Sequence, residues 1–205
     1  MNLRNPPGRA GRVWLRDRIL AAARAGKLLE QKERVLVREQ RRLAVLARHT
    51  GSEWGAACTN AQIWIARATA LRGRQTVDFA TAVTPAVAEL RWRNSMGAYY
   101  PAEASCELPP TRPLTSLTGT VAMREADRAH RHALECAVQH AATLRAVTEV
   151  DRELRATRQR LRIIDREWVP ALGNAQRLLD IALDDEERDD ILRARRTLEF
   201  ERGST

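Results

Sequence analysis

Residues 9–49 read RAGRVWLRDRILAAARAGKLLEQKERVLVREQRRLAVLARH, a stretch without proline. Leu15, Ile19, Ala22, Gly26, Leu29, Glu33, Leu36, Gln40, Leu43 and Ala47 follow one another in steps of four and three. Eight of the ten are apolar or small, and Glu33 and Gln40 are the exceptions. An apolar seam of period 3.5 on a helix of period 3.6 predicts a left-handed coiled coil. Forty residues of helix extend roughly 60 Å, and such a helix cannot bury its seam alone.

A partner stands at the other end of the chain. Residues 121–169 lack both proline and glycine, and Val147, Val150, Leu154, Thr157, Leu161, Ile164 and Trp168 keep the same rhythm. Pro170 interrupts it by removing a hydrogen bond, which predicts a bend. The pattern resumes at Leu172, Ala175, Leu179 and Ala182. Two seams at opposite ends of one chain predict an all-α-dominated fold, a long antiparallel two-helix coiled coil with both termini at one tip. The expected division is an N-terminal helix over 1–50, a middle insert over 51–120 and a C-terminal helix over 121–205, bent at Pro170.

The middle has a different texture, with Gly51, Gly55, Gly73, Gly97, Gly119 and five prolines from Pro85 to Pro113. Leu90 and Trp92 alternate with Arg91 and Arg93, and Asn94-Ser95-Met96-Gly97 reads as a turn before Ala98-Tyr99-Tyr100-Pro101. This predicts a short β-hairpin around Trp92, Asn94, Met96, Gly97 and Tyr100. Residues 102–119 read as an exposed loop. Trp54 and Trp64 read as packing residues.

Composition excludes several classes. The 205 residues suit one domain or one long helical element with an insert, and aromatics make up only 4%. No apolar run is long enough to cross a membrane, and the start lacks a secretory-signal pattern. Cys58, Cys106 and Cys136 are odd in number and widely spaced, which fits reduced thiols. No phosphate loop, dinucleotide fingerprint or hydrolase motif is present, so the sequence offers no catalytic residues, cofactor site or metal site. His132, Cys136 and His140, with His130 nearby, form a stripe of about 12 Å, too long to converge on one ion, and read as a partly buried face.

The first fifty residues hold 13 basic and 4 acidic side chains, and residues 51–205 hold 22 of each. The acidic run Asp184-Asp185-Glu186-Glu187 to Asp190 is therefore expected to face Arg4, Arg9, Arg12 and Arg16 across the antiparallel pair. The competing reading is an Arg-rich coiled-coil adaptor, or a nucleic-acid-associated helical protein binding phosphate through Arg38, Arg41, Arg42 and Arg48. No nucleic-acid motif accompanies those arginines, so no direct nucleic-acid contact is expected.

Three blocks, in order along the chain, resemble the D subunit of the V-type/A-type rotary ATPases and ATP synthases, the central-stalk rotor shaft. They are Asn5-Pro6-Pro7-Gly8-Arg9 leading to Lys27-Leu28-Leu29-Glu30-Gln31-Lys32, then Arg93-Asn94-Ser95-Met96-Gly97 through Tyr100-Pro101. The third runs from Arg160-Leu161-Arg162-Ile163-Ile164-Asp165 and Val169-Pro170-Ala171-Leu172 to Leu183-Asp184-Asp185-Glu186-Glu187-Arg188-Asp189-Asp190-Ile191-Leu192-Arg193. Pro7-Gly8, Ala25, Arg162 and Ile191-Leu192 depart from the family's pattern. The resemblance implies a non-catalytic axle within a head of A and B subunits, bound on its side by the F subunit and seated in the C (d) subunit. It implies a cytoplasmic protein that meets the membrane only through the complex, and a hairpin that stimulates ATP hydrolysis by the head. Arg9, Arg12, Arg16, Arg193, Arg195 and Arg196 are then candidate contacts with the head or stator.

Overall fold

The computed structural model describes residues 6–80, 84–110 and 120–203. The element order is α1 (Gly8–Arg72), α2 (Arg74–Ala80), β1 (Val87–Ser95), β2 (Ala98–Glu107), α3 (Val121–Ile163), a π-helical turn (Ile164–Trp168) and α4 (Val169–Gly203). Two long helices pack antiparallel, with a small two-stranded antiparallel hairpin inserted between them in sequence. The chain forms two compact units, a terminal one (Met1–Glu33 with Ala156–Thr205) and a central one (Arg34–Arg155).

α1 does not stop near residue 50, where the insert was expected to begin. The three–four rhythm continues through Thr50, Trp54, Ala57, Ala61, Trp64 and Ala68, and this apolar stripe outweighs the helix cost of Gly51 and Gly55, about 1 kcal/mol each. Gly51 also has a packing reason, since a Cβ there would stand 3.1 Å from Cε1 of His140. The helix ends at Gly73, whose φ of 77° is the left-handed conformation of a C-terminal cap and whose N–H bonds the Thr69 carbonyl at 2.8 Å. At the start of α3, the Thr120 hydroxyl accepts the Met123 N–H at 3.3 Å, a helix N-cap.

In the central unit, α1 and α3 share a seam that changes character along its length. Leu36 and Leu43 pack with Ala146, Val150 and Leu154. Further on, the buried residues are almost all alanine: Ala57 and Ala61 with Ala129 and Ala133, then Ala68 with Ala122 and Ala126. Rising numbers on α1 meet falling numbers on α3, which defines the antiparallel sense. Trp64 packs against both alanine clusters, whereas Trp54 is 40% exposed and stacks on His140 with ring centroids 5.6 Å apart. His140 also meets the Thr50 hydroxyl at 3.1 Å, so this part of the histidine stripe is spent on helix packing.

In the terminal unit, Leu15, Ala22 and Leu172 are buried, with Trp14, Ile19, Ile164, Val169, Ala175 and Leu179 around them. Pro170 shapes the chain ahead of it. Proline has no N–H and its ring crowds the carbonyl four residues back, and here the preceding turn widens so that the Val169 N–H bonds the Ile164 carbonyl, a five-residue step. One extra residue in a turn shifts the seam by one position. Val169 packs in place of Trp168 and Leu183 in place of Ala182, while Leu172, Ala175 and Leu179 pack as expected. Leu172 and Leu183 are buried accordingly, while Trp168 (41%) and Leu178 (70%) are exposed. Trp168 and Ala182 are therefore not seam residues, contrary to the periodic expectation.

In the hairpin, Met96 (φ 50°) and Gly97 (φ 86°) form a two-residue loop with the backbone of a type I′ turn. Asn94 Oδ1 accepts the Gly97 N–H at 3.0 Å. The register shifts between Arg91, opposite Glu103, and Trp92, opposite Pro101. That bulge accommodates a proline that cannot donate to the ladder and lets β2 continue to Glu107. Residues 102–107, expected as loop, are thus strand, and residues 111–119 of that expected loop lie outside the described residues. Methionine at positive φ is strained. Met96→Asn, the residue this turn favours, is expected to stabilise the chain by about 0.5–1 kcal/mol, seen as a higher Tm in thermal denaturation.

Candidate functional site

The hairpin is attached to the helix pair by one face of its turn-proximal end. Tyr100 is fully buried and Ala98 nearly so, both within the cluster of Leu36, Leu43, Ala146, Val150 and Leu154. The Tyr100 hydroxyl donates to Glu39 Oε1 at 2.5 Å. Glu39 also accepts from Arg42, whose Nη2 lies 2.7 Å from Oε1 and whose Nε lies 3.1 Å from Oε2. One carboxylate thus joins the hairpin to α1, and the neighbouring arginine fixes its orientation.

The three groups shift one another's protonation. The Arg42 hydrogen bonds, joined by the Tyr100 hydroxyl and opposed by burial, hold the Glu39 carboxyl below its ordinary range. Burial, reinforced by the adjacent Glu39 charge, pushes the Tyr100 phenol up. On the neighbouring surface, Glu149 is 5% exposed and pairs with Arg145 at 2.6 Å and with Arg152. Trp92 and Tyr99 stack on the outer face of the hairpin, 4.9 Å apart, and both are exposed. Asn94, Met96 and Gly97 are exposed at the tip.

The two polar exceptions in the α1 rhythm each meet a polar partner on the facing helix. Arg158 Nε donates to Glu33 Oε1 at 2.7 Å, and Gln40 Nε2 donates to Asp151 Oδ1 at 2.8 Å. Among the other expected seam residues, Leu15, Ala22, Leu36, Leu43, Val150 and Leu154 are buried, and Ile19, Leu29, Val147, Leu161 and Ile164 are half-buried. Of the arginines expected at a head or stator, Arg9 pairs with Glu187 at 3.1 Å and Arg12 with Asp180 at 3.0 Å. Of these two pairs, only Arg9–Glu187 reaches the acidic run; Asp180 lies one turn ahead of it. Arg193 lies 3.3 Å from Asp190 on its own helix, while Arg16, Arg195 and Arg196 are exposed. Arg4 lies outside the described residues. Arg42, grouped by sequence with a phosphate-binding cluster, belongs to the Glu39 latch. The latch joins residues 61 apart in sequence, and no local pattern announces it.

Among the described residues, no group of three His, Cys, Asp or Glu side chains is placed to hold a metal ion, and no helix is long and apolar enough to cross a membrane. The fold and this surface define a helical protein of two long antiparallel helices carrying a latched β-hairpin. The family model for the D subunit of ATP synthase matches residues 13–199, nearly the whole chain, and the chain belongs to that family. It is thus a stalk component of a rotary ATPase complex. A comparison with curated proteins returns no significant match.

Tyr100→Phe removes the bond to Glu39 and is expected to destabilise the chain by about 1.5 kcal/mol, read as a lower Tm. Because the folded-state value for Glu39 is depressed, its contribution is full above about pH 5 and is lost as the pH falls through the folded value. Because the folded-state value for Tyr100 is raised, its contribution is full below about pH 10 and is lost as the pH rises through that value. Tm measured across pH should fall at both ends, and the alkaline fall should be reduced in Tyr100→Phe.

Proposed function

We propose that this chain is the central-stalk shaft of a V-type/A-type rotary ATPase or ATP synthase. It carries torque between an ATP-handling head of A and B subunits and an ion-translocating membrane ring. The observation that carries the reading is the family match across residues 13–199 on a pair of long antiparallel helices. Torque transmission needs an element that resists twisting, and two helices packed along a seam and supercoiled resist it better than one. The polar seam pairs at Glu33 and Gln40 suit that role, because a slip of the helices past each other breaks both. An asymmetric shaft presents a different face to each catalytic interface at each angle, so the chemistry belongs to the head and the shaft has no catalytic part.

The F subunit on the side of the shaft and the C (d) subunit at its base complete the partner set in this reading. The chain is peripheral on the cytoplasmic face and reaches the membrane through the complex. Arg16, Arg195 and Arg196 are exposed and remain the arginines available to the head, whereas Arg9 and Arg12 also serve the chain's own packing. The exposed hairpin tip is the protrusion through which the head's hydrolysis is stimulated. The Arg-rich adaptor is the weaker reading, since the family match favours a stalk subunit and Arg42 of its cluster Arg38, Arg41, Arg42 and Arg48 is matched by Glu39.

The test is a native purification of tagged full-length chain at moderate salt, with partners identified by mass spectrometry. The A and B subunits of the head together with the F subunit, in fixed ratio, are the expected result. Retention of nucleic acid that fades steeply with salt, without any ATPase component, contradicts the proposal.

A further inference from the structure

The terminal unit contains a groove that its own side chains leave open. It has a volume of about 560 Å³, in the range of small-molecule sites, and it lies between the start of α1 and the π turn with α4. Its origin is local. Ala21, Ala25 and Ala171 are too small to fill the space beside the seam, and the π turn has moved Trp168 off the seam to become a wall. Trp14 forms another wall, and the lining contains no acidic residue.

Two arginines belong to this lining, Arg18 and Arg160. Neither has a carboxylate partner among the described residues, although many arginines of this chain do. Arg18 lies over the Trp14 ring, 5.1 Å from its centroid, which orients the guanidinium at the groove while leaving its N–H groups free to donate. On α1 the groove extends from Trp14 to Leu29, about 22 Å of helix. An elongated apolar trough with aromatic walls and uncompensated guanidinium groups is complementary to an extended apolar chain with an anionic head.

We infer that this groove is a binding site for a long-chain carboxylate of the fatty-acid class, its tail along Ala21, Ala25 and Ala171 and its carboxylate on Arg18. Binding buries apolar surface on both partners and gives Arg18 the anion it lacks. This assignment concerns the free chain and is independent of the torque reading.

The probe is dodecanoate below its micellar concentration, titrated into the full-length chain. Tryptophan emission and calorimetry are the readouts, since Trp14 and Trp168 line the groove. Saturable one-to-one binding is expected, about tenfold or more weaker in Arg18→Ala and abolished in Ala25→Trp, which fills the trough. Arg18 is exposed, and a far-UV circular dichroism spectrum unchanged in Arg18→Ala separates loss of the site from loss of the fold. Dodecan-1-ol and dodecyltrimethylammonium are expected to bind at least tenfold more weakly than dodecanoate. Equal binding of the alcohol or the cation, an unchanged affinity in Arg18→Ala with folded protein, or no saturable binding would overturn the assignment.

Discussion

Burial of a narrow apolar stripe is the constraint on which this chain is built. A helix as long as α1 (Gly8–Arg72) exposes an apolar seam along its length, and its stability in water comes from packing that seam rather than from propensity. The seam holds few large side chains. Leu15, Leu36, Leu43, Val150, Leu154 and Leu172 carry most of the aliphatic burial, and alanine supplies much of the remainder. An alanine seam contributes less apolar area per layer than a leucine seam but lets helix backbones approach closely. The central unit therefore combines a leucine–valine section under the hairpin with an alanine section beyond it.

A uniform seam specifies register weakly, because sliding by one heptad leaves similar contacts. Two features work against that. Glu33 with Arg158 and Gln40 with Asp151 place polar partners opposite each other within their own units, where any slip leaves polar groups unmatched. The hairpin adds a third constraint. Tyr100 is buried among Leu36, Leu43 and Val150, and from there its hydroxyl reaches Glu39. Arg42, one turn after Glu39, makes this carboxylate an anchored acceptor.

Much of this is legible in the residues. The seam rhythm from Leu15 to Leu43, its counterpart from Val147 to Ile164, and the turn at Asn94–Gly97 each follow from local periodicity or turn chemistry. The attraction of the acidic run for the N-terminal arginines follows from charge placement; Arg9–Glu187 realises it, while Arg12 pairs with Asp180, one turn ahead of the run. The features that escape the sequence involve competition or distance. Gly51 and Gly55 suggest a break, but the same rhythm continues to Ala68, and counting it past the glycines extends the helix. The π turn is hidden because Pro170 announces a disturbance without saying how the backbone will absorb it, and Trp168 is misplaced as a result. The strand over residues 102–107 is hidden by Pro101, which pairs across a bulge. The Tyr100–Glu39–Arg42 latch depends on tertiary placement, whereas the Arg18–Trp14 contact is a local pair four residues apart on α1.

In the role proposed above, the helix pair is the stiff part of the moving element and the exposed hairpin is its contact with the head. Observation of single assembled complexes, immobilised through the head and carrying a probe on this chain, tests that directly. Under ATP, the predicted result is unidirectional rotation of the probe in steps that follow the three-fold arrangement of the head. A probe that stays fixed relative to the head while ATP is being hydrolysed would contradict it.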